Sequence, residues 1–357
     1  MQVISAVLLL SLAASSFGFL SVLYWYLFQG EELFQRVRSD VLVLVPFCNE
    51  EELAGFLSVQ QHLKNELASP EQIMPCRSRP IPGGNPKVQA MGQNLPAIRR
   101  AIEKGARYVL IMDSNTAALP RHLEAMILET KKSNTGIVFS PVSACNPVSS
   151  SDSVDAAMVN TTVAKALIAA SVFGFSYSMG KSLMIDTDKI DIGLALFSVD
   201  GYIAEDTALS RFSKKRGFKT RVSSIPIIQT YLDGTGYQSA FHRILRWSRI
   251  LMTTCPAVFL IMPLDNALVQ GVLSYFVARS HFPGSGVLAV AIGVIWLSYI
   301  FDAFCYHIMN HRGHLPMSTW LRKQTYCLAA WVLAPCSRSV VWRGNRIKLG
   351  IGGKIVA

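Results

Sequence analysis

The chain has 357 residues, enough for one good-sized domain with added segments and no need for two soluble domains. With 51% hydrophobic residues, 16% charged residues and a mean hydropathy of +0.33, it is too apolar for an ordinary soluble enzyme and too polar to lie wholly in a bilayer. The net charge of +11 does not point to nucleic acid, because the basic residues stand beside apolar segments, the pattern of juxtamembrane charge near anionic lipid.

Residues 3–28 are uncharged and long enough to cross a hydrocarbon core of about 30 Å. Small residues at 12–16 suit a cleaved signal peptide, but no Lys or Arg precedes the stretch and its apolar core is too long. Tyr24, Trp25 and Tyr26 form an interfacial belt, so an anchor is expected over 1–30. Arg36 and Arg38 then place the following domain on the cytosolic side.

Residues 40–249 read as an α/β domain. The runs 41–46, 107–113 and 136–141 are buried strands, 120–132 is an amphipathic helix presenting Leu119, Leu123, Met126 and Ile127, and 205–216 is a helix closed by Gly217. The stretch 219–229 reads as a strand bent at Pro226. Residues 68–86, with Pro70, Pro75, Pro80, Pro82, Gly83, Gly84 and Pro86, read as a loop, as do the Ser- and Asp-rich residues 143–155. Alternating strands and helices imply a mainly parallel central sheet, with ligands beyond the carboxyl ends of its strands.

Residues 250–357 read as C-terminal interfacial and transmembrane segments. Residues 250–262 lie in the interface, about 264–279 is a candidate span, and 286–309 is a cleaner one in which Asp302 needs a polar partner. The run 325–335 is too short to cross and has basic flanks, which favours a re-entrant or interfacial helix. The expected count is three spans. The seven cysteines form no CxxC pair, which suggests a reducing compartment and no structural zinc.

Chemistry is carried by short islands in a fixed order. Asp113 ends an apolar strand, where a carboxylate can hold Mg²⁺ or Mn²⁺ against a diphosphate; an Asp that merely opens an Asx-turn is equally common there. Asn115 stands where a second carboxylate of a DxD pair would be. Asp206 suits a general base taking a proton from an acceptor hydroxyl, although an acid at a helix start is by itself explained by the helix dipole. Arg243 and Arg246 share one helical face and suit a diphosphate clamp, while Trp247 suits stacking or interfacial anchoring; an ordinary basic membrane-surface helix explains the three equally well. Lys87 can reach a phosphate or be a solvated loop lysine. The histidines suggest no metal centre, and no GxSxG, Walker or GxGxxG sequence is present.

Taken together, Asn85-Pro86-Lys87-Val88, Asp113-Ser114, Ala204-Glu205-Asp206, the RxxRW segment from Arg243 to Trp247 and the closing Trp342-Arg343-Gly344-Asn345-Arg346 resemble the ceramide glucosyltransferase family. The resemblance covers roughly 85–350. It implies a GT-A-like nucleotide-sugar-binding domain in a multi-pass membrane protein of the Golgi or ER membrane, or of the inner membrane if bacterial. It also implies inverting transfer of glucose from UDP-glucose to the primary hydroxyl of ceramide. In that family pattern Asp113 binds the nucleotide sugar and a divalent cation, Mg or Mn. Asp206 is the catalytic base, Lys87, Arg243, Arg246 and Trp247 bind substrates, and the partners are a UDP-sugar, a ceramide-like lipid and membrane lipids. The family also has an earlier, uridine-recognising aspartate, yet no Asp occurs between Val41 and Met112, and no His occurs in 123–241. Two alternatives therefore stand beside the main expectation. One transfers another sugar, such as N-acetylglucosamine, to a hopanoid or diacylglycerol; the other is a non-catalytic binding relative.

Overall fold

The computed structural model describes residues 2–27, 37–47, 51–77, 83–175, 177–229, 236–281, 284, 286–310, 313–342 and 345–356, with side chains from 56 onward in the second helix. Arg36, Pro80, Pro82, Arg343 and Gly344, named above from the sequence, lie outside these residues. The chain divides into two compact units, one of Leu27–Ser143, Ala170–Thr230 and Gly353–Ala357, the other of Met1–Tyr26, Ala144–Ala169 and Tyr231–Gly352.

The first unit is α/β. Its strands are β1 (Val41–Phe47), β2 (Ile73–Arg77), β3 (Tyr108–Met112), β4 (Thr116–Ala118), β5 (Thr135–Phe139), β6 (Val142–Ala144), β7 (Ser182–Asp186), β8 (Lys219–Val222) and β9 (Ile227–Gln229). Six of them form the central sheet in the order β2-β1-β3-β7-β5-β8. β1 pairs in parallel with β2 and β3, and β5 with β8, whereas β7 runs antiparallel to both β3 and β5. The sheet is thus mainly parallel, as expected, with one reversed strand that the sequence did not announce. β3, β5 and β7 are buried at every position, the signature of strands covered on both faces. Leu42, Leu44, Val109, Ile111, Ile137 and Ile185 pack with Val88, Met91 and Ile98 from the helices in one apolar core.

Three expectations about local structure are corrected. Residues 68–86 are not a loop throughout. Ser69 and Gln72 form a capping box around a short 3-10 turn, and the Gln72 amide donates to the carbonyls of Arg38 (3.0 Å) and Val41 (2.7 Å). That clamp delivers β2 beside β1, and because β2 lies at the sheet edge it tolerates Pro75. Residues 143–155 contain a helix start, since Ser149 caps Ser150–Met158 by accepting from the Asp152 amide. The bent strand at 219–229 is two strands, β8 in the central sheet and β9 in a second sheet of order β4-β9-β6. The amphipathic helix is His122–Lys131, with Leu123, Met126 and Ile127 fully buried and Leu119 before its start.

The second unit holds the apolar helices. Gln2–Leu27 and Gly286–Met309 are long and apolar enough to cross a membrane, and Pro256–Asp265 with Ala267–His281, bent by 66°, makes a third span if the pair counts as one. The run 325–335 belongs to a longer helix, Met317–Leu333. Asp302 has the partners its position requires. Lys165 Nζ lies 3.0 Å from Oδ1, and Oδ2 accepts from Trp320 Nε1 (2.8 Å), Lys323 Nζ (3.0 Å) and Gln324 Nε2 (3.2 Å). Lys165 also meets Asp265 at 2.7 Å, and the Ser15 hydroxyl donates to the same Asp265 oxygen. Gly18 permits the close passage of Lys165, whose Cβ would lie 3.1 Å from an added methyl.

Asp302→Ala leaves two buried ammonium groups without their shared carboxylate, a change that costs about 3–5 kcal/mol in buried pairs. The expected outcome is a large fall in the thermal midpoint of the detergent-purified chain, and an unchanged midpoint would show that the network carries no stability.

Candidate active site

The first unit brings Lys87, Asp113 and the Glu205-Asp206 pair together, and local folding explains each position. Asn85 caps the helix Pro86–Gln93, its side-chain oxygen accepting from the Lys87 and Val88 amides, and Pro86 fills the first helical position. The Asn85 amide group in turn donates to Tyr202 O (2.9 Å) and Glu205 Oε2 (3.1 Å). Lys87 is therefore not a solvated loop lysine. Its ammonium lies 2.7 Å from Asp113 Oδ1 and 3.1 Å from Glu205 Oε1, and donates to the Gly180 carbonyl at 2.6 Å.

The antiparallel β3–β7 pairing supplies the other side of the site. Met112 faces Ser182, so the next residues along, Asp113 and Lys181, also come side by side, and the Asp113 amide donates to the Lys181 carbonyl at 3.0 Å. Lys181 Nζ lies 3.4 Å from Asp113 Oδ2 and donates to Asn115 Oδ1 at 2.6 Å. Gly180 is pressed against the same group. A methyl there would fall 3.0 Å from Glu205 Oε1, 3.2 Å from Lys87 Nζ and 3.3 Å from Asp206 Oδ2. Lys181, Gly180, Asn85 and Glu205 were not singled out from the sequence as site residues. The only signal for the first two was the short Leu-Met-Ile run at 183–185.

Asp206 stands at the start of the helix Glu205–Lys215, half-buried, its Oδ2 accepting from the Gly180 amide (2.7 Å) and its Oδ1 from the Thr207 amide (2.6 Å). Burial and the neighbouring Glu205 carboxylate push its pKa up to about 7, against the lowering effect of these amides and of Lys87. Asp113 is the opposite case. Burial would raise it, but the ammonium groups of Lys87 and Lys181 hold it at about 2. Two carboxylates driven apart in this way mark a permanently charged group and one poised to exchange a proton near neutrality. Asp113 keeps 29% of its side chain exposed, so a ligand can reach it.

The donor set does not fit the divalent cation expected at Asp113. Each of its oxygens faces an ammonium, an amide occupies position 115, and among the described residues no three His, Cys, Asp or Glu side chains converge as metal ligands.

Arg243, Arg246 and Trp247 lie in the second unit, on the helix Tyr237–Thr254. Arg243 Nη1 pairs with the buried Asp155 carboxylate at 2.8 Å. Burial and the Arg243 charge lower the pKa of Arg246. Trp247 packs on the apolar cluster of Val154, Met158, Ile244 and Phe259.

Because Asp206 binds its proton more tightly folded than unfolded, the stability it contributes is present at low pH and is lost as pH rises from its usual value near 3.8 through about 7. Asp206→Asn, which keeps the neutral form, should therefore match the wild-type thermal midpoint near pH 4 and exceed it near pH 8, by about 1–2 kcal/mol after solvent screening. A variant less stable than wild type at the higher pH would contradict the raised pKa.

The profile of Glycosyl transferase family 21 matches residues 68–355. Ceramide glucosyltransferase 3 of Caenorhabditis elegans is 26% identical over 206 residues, a stretch covering 55% of this chain and 43% of that protein. Ceramide glucosyltransferase 1 of the same organism is 23% identical over 338 residues, covering 92% of this chain and 70% of that protein. The chain thus spans less than half the length of the first relative. Among solved structures, the mannosyltransferase PcManGT from Pyrobaculum calidifontis in complex with GDP-Man and Mn2+ overlaps 93% of this chain and 99% of its own, with a TM-score of 0.43 and 14% identity. On the profile match across most of its length, the chain belongs to glycosyl transferase family 21.

Proposed function

We propose that this chain is an inverting glycosyltransferase that moves glucose from UDP-glucose to the primary hydroxyl of ceramide, giving a β-linked glucosyl lipid. Family membership and the similarity to two ceramide glucosyltransferases support the reaction class and the lipid acceptor. The observation that carries the chemistry is Asp206, a half-buried carboxylate whose pKa is raised to about 7 by burial and by Glu205, against the lowering effect of Lys87. In this reading Asp206 takes the proton of the acceptor hydroxyl as that oxygen attacks the anomeric carbon. Its two backbone donors fix the carboxylate and leave each oxygen a second lone pair for the proton. Lys87 and Asp113 bind the donor. The assignment of Arg243 and Arg246 to the diphosphate and of Trp247 to the acceptor extends the reading from the RxxRW motif. The apolar helices, and Arg36 and Arg38 after the first, support a multi-pass arrangement with a cytosolic catalytic domain.

A second reading, nucleotide binding without transfer, is favoured by one observation. β2 is present beside β1, yet it ends in Cys76-Arg77 and brings no carboxylate to the position of the family's earlier aspartate.

Incubating the purified chain with labelled UDP-glucose and short-chain ceramide should give glucosylceramide, with a rate that climbs as pH rises to about 7. Asp206→Asn should reduce turnover by about 10²–10⁴-fold without loss of folding. Undiminished turnover in this variant would remove Asp206 as the base, and tight UDP binding without transfer or hydrolysis would favour the second reading.

A further inference from the structure

We propose that Lys87 and Lys181 take the place of a divalent cation at Asp113, so that this chain binds the diphosphate of its donor without a metal. The proposal rests on the donor being a nucleoside diphosphate sugar, as argued above. Three features of the described site converge on it.

The first is the occupation of Asp113. Each of its two oxygens is paired, Oδ1 with Lys87 at 2.7 Å and Oδ2 with Lys181 at 3.4 Å. A dication within ligand distance of either oxygen would stand a few ångströms from a like charge, which disfavours it. The second is the loss of negative charge around it. Asn115 supplies an amide whose oxygen already accepts from Lys181, and Glu205 is neutralised by Lys87 on one oxygen and bound by the Asn85 amide on the other. Hard cations are held by carboxylate charge, and here that charge is answered by protein ammonium groups.

The third is that both ammonium groups are built in. Lys87 is set by the capped start of its helix and by the Gly180 carbonyl. Lys181 is set by the β3–β7 register and by the Asp113 amide bonding to its own carbonyl. Their side chains are 12% and 16% exposed, so they are anchored within the site and still open to a ligand. Lysine binds phosphate as a point charge, and a diphosphate entering the site competes with Asp113 and Glu205 for these two ammonium groups.

The test is UDP affinity of the full-length, detergent-purified chain, measured by titration calorimetry in excess EDTA and in excess Mn²⁺. The expected dissociation constants agree within about threefold. Lys181→Met should weaken binding by about tenfold or more in both conditions, while Lys181→Arg, which keeps the cation, should restore it to within about threefold. Thermal midpoints of both variants verify folding. Binding that disappears in EDTA and returns with Mn²⁺ or Mg²⁺ would overturn the metal-free proposal and leave the glycosyltransferase reading intact. Undiminished binding in a folded Lys181→Met chain would overturn the role of Lys181. Absence of UDP binding in both conditions would overturn the proposal together with the donor assignment beneath it.

Discussion

One ammonium group organises the α/β unit. Lys87 projects from the first turn of a helix into a space where two carboxylates on separate elements and one backbone carbonyl meet. Without it, Glu205 would lose its paired cation and Asp113 would keep only the longer contact to Lys181. With it, Asp113 is locked in its charged form, and Glu205 is held close enough to Asp206 to raise the proton affinity of that third carboxylate. The contrast between the two aspartates thus comes from where the ammonium groups and Glu205 stand, on top of burial that raises both. Asp113 receives the ammonium directly, while Asp206 receives the repulsion of Glu205 and only a weaker share of Lys87.

The apolar unit solves a different problem with similar means. Asp302 sits in a helix long enough to span a membrane, where an isolated carboxylate is costly. Lys165 and Lys323 share it, and Lys165 is shared again by Asp265, so helices distant in sequence are joined by charge as well as by apolar packing. The Arg243–Asp155 pair joins two further helices of the same unit. A buried ion pair of this kind favours one arrangement of helices because any other leaves a charge unpaired.

Much of this was legible in the sequence, and the exceptions have physical reasons. Strands β1, β3 and β5 were visible because each is a continuous apolar run, and Asp113, Asp206 and Lys87 were visible because motifs flank them. β7 was not visible. Its apolar core is only three residues long, and nothing local states that a strand will run against its neighbours. With β7 went Gly180 and Lys181, since only the antiparallel register places them opposite Asp113. β2 was hidden by its prolines, because local punctuation says nothing about an edge position that tolerates them. Asn85 was read as part of a motif, but its work as a helix cap that also holds Glu205 depends on the chain returning from position 205. The need of Asp302 for partners was readable; the identity of those partners was not.

The central claim is that Lys87 and Asp113 are energetically coupled and that the site is assembled around their contact. A double-mutant cycle of Lys87→Met and Asp113→Asn, followed by thermal unfolding of the purified chain, measures that coupling directly. The structure predicts that the double variant is more stable than the sum of the single losses requires, with an interaction of about 1–3 kcal/mol. Strictly additive losses would contradict it.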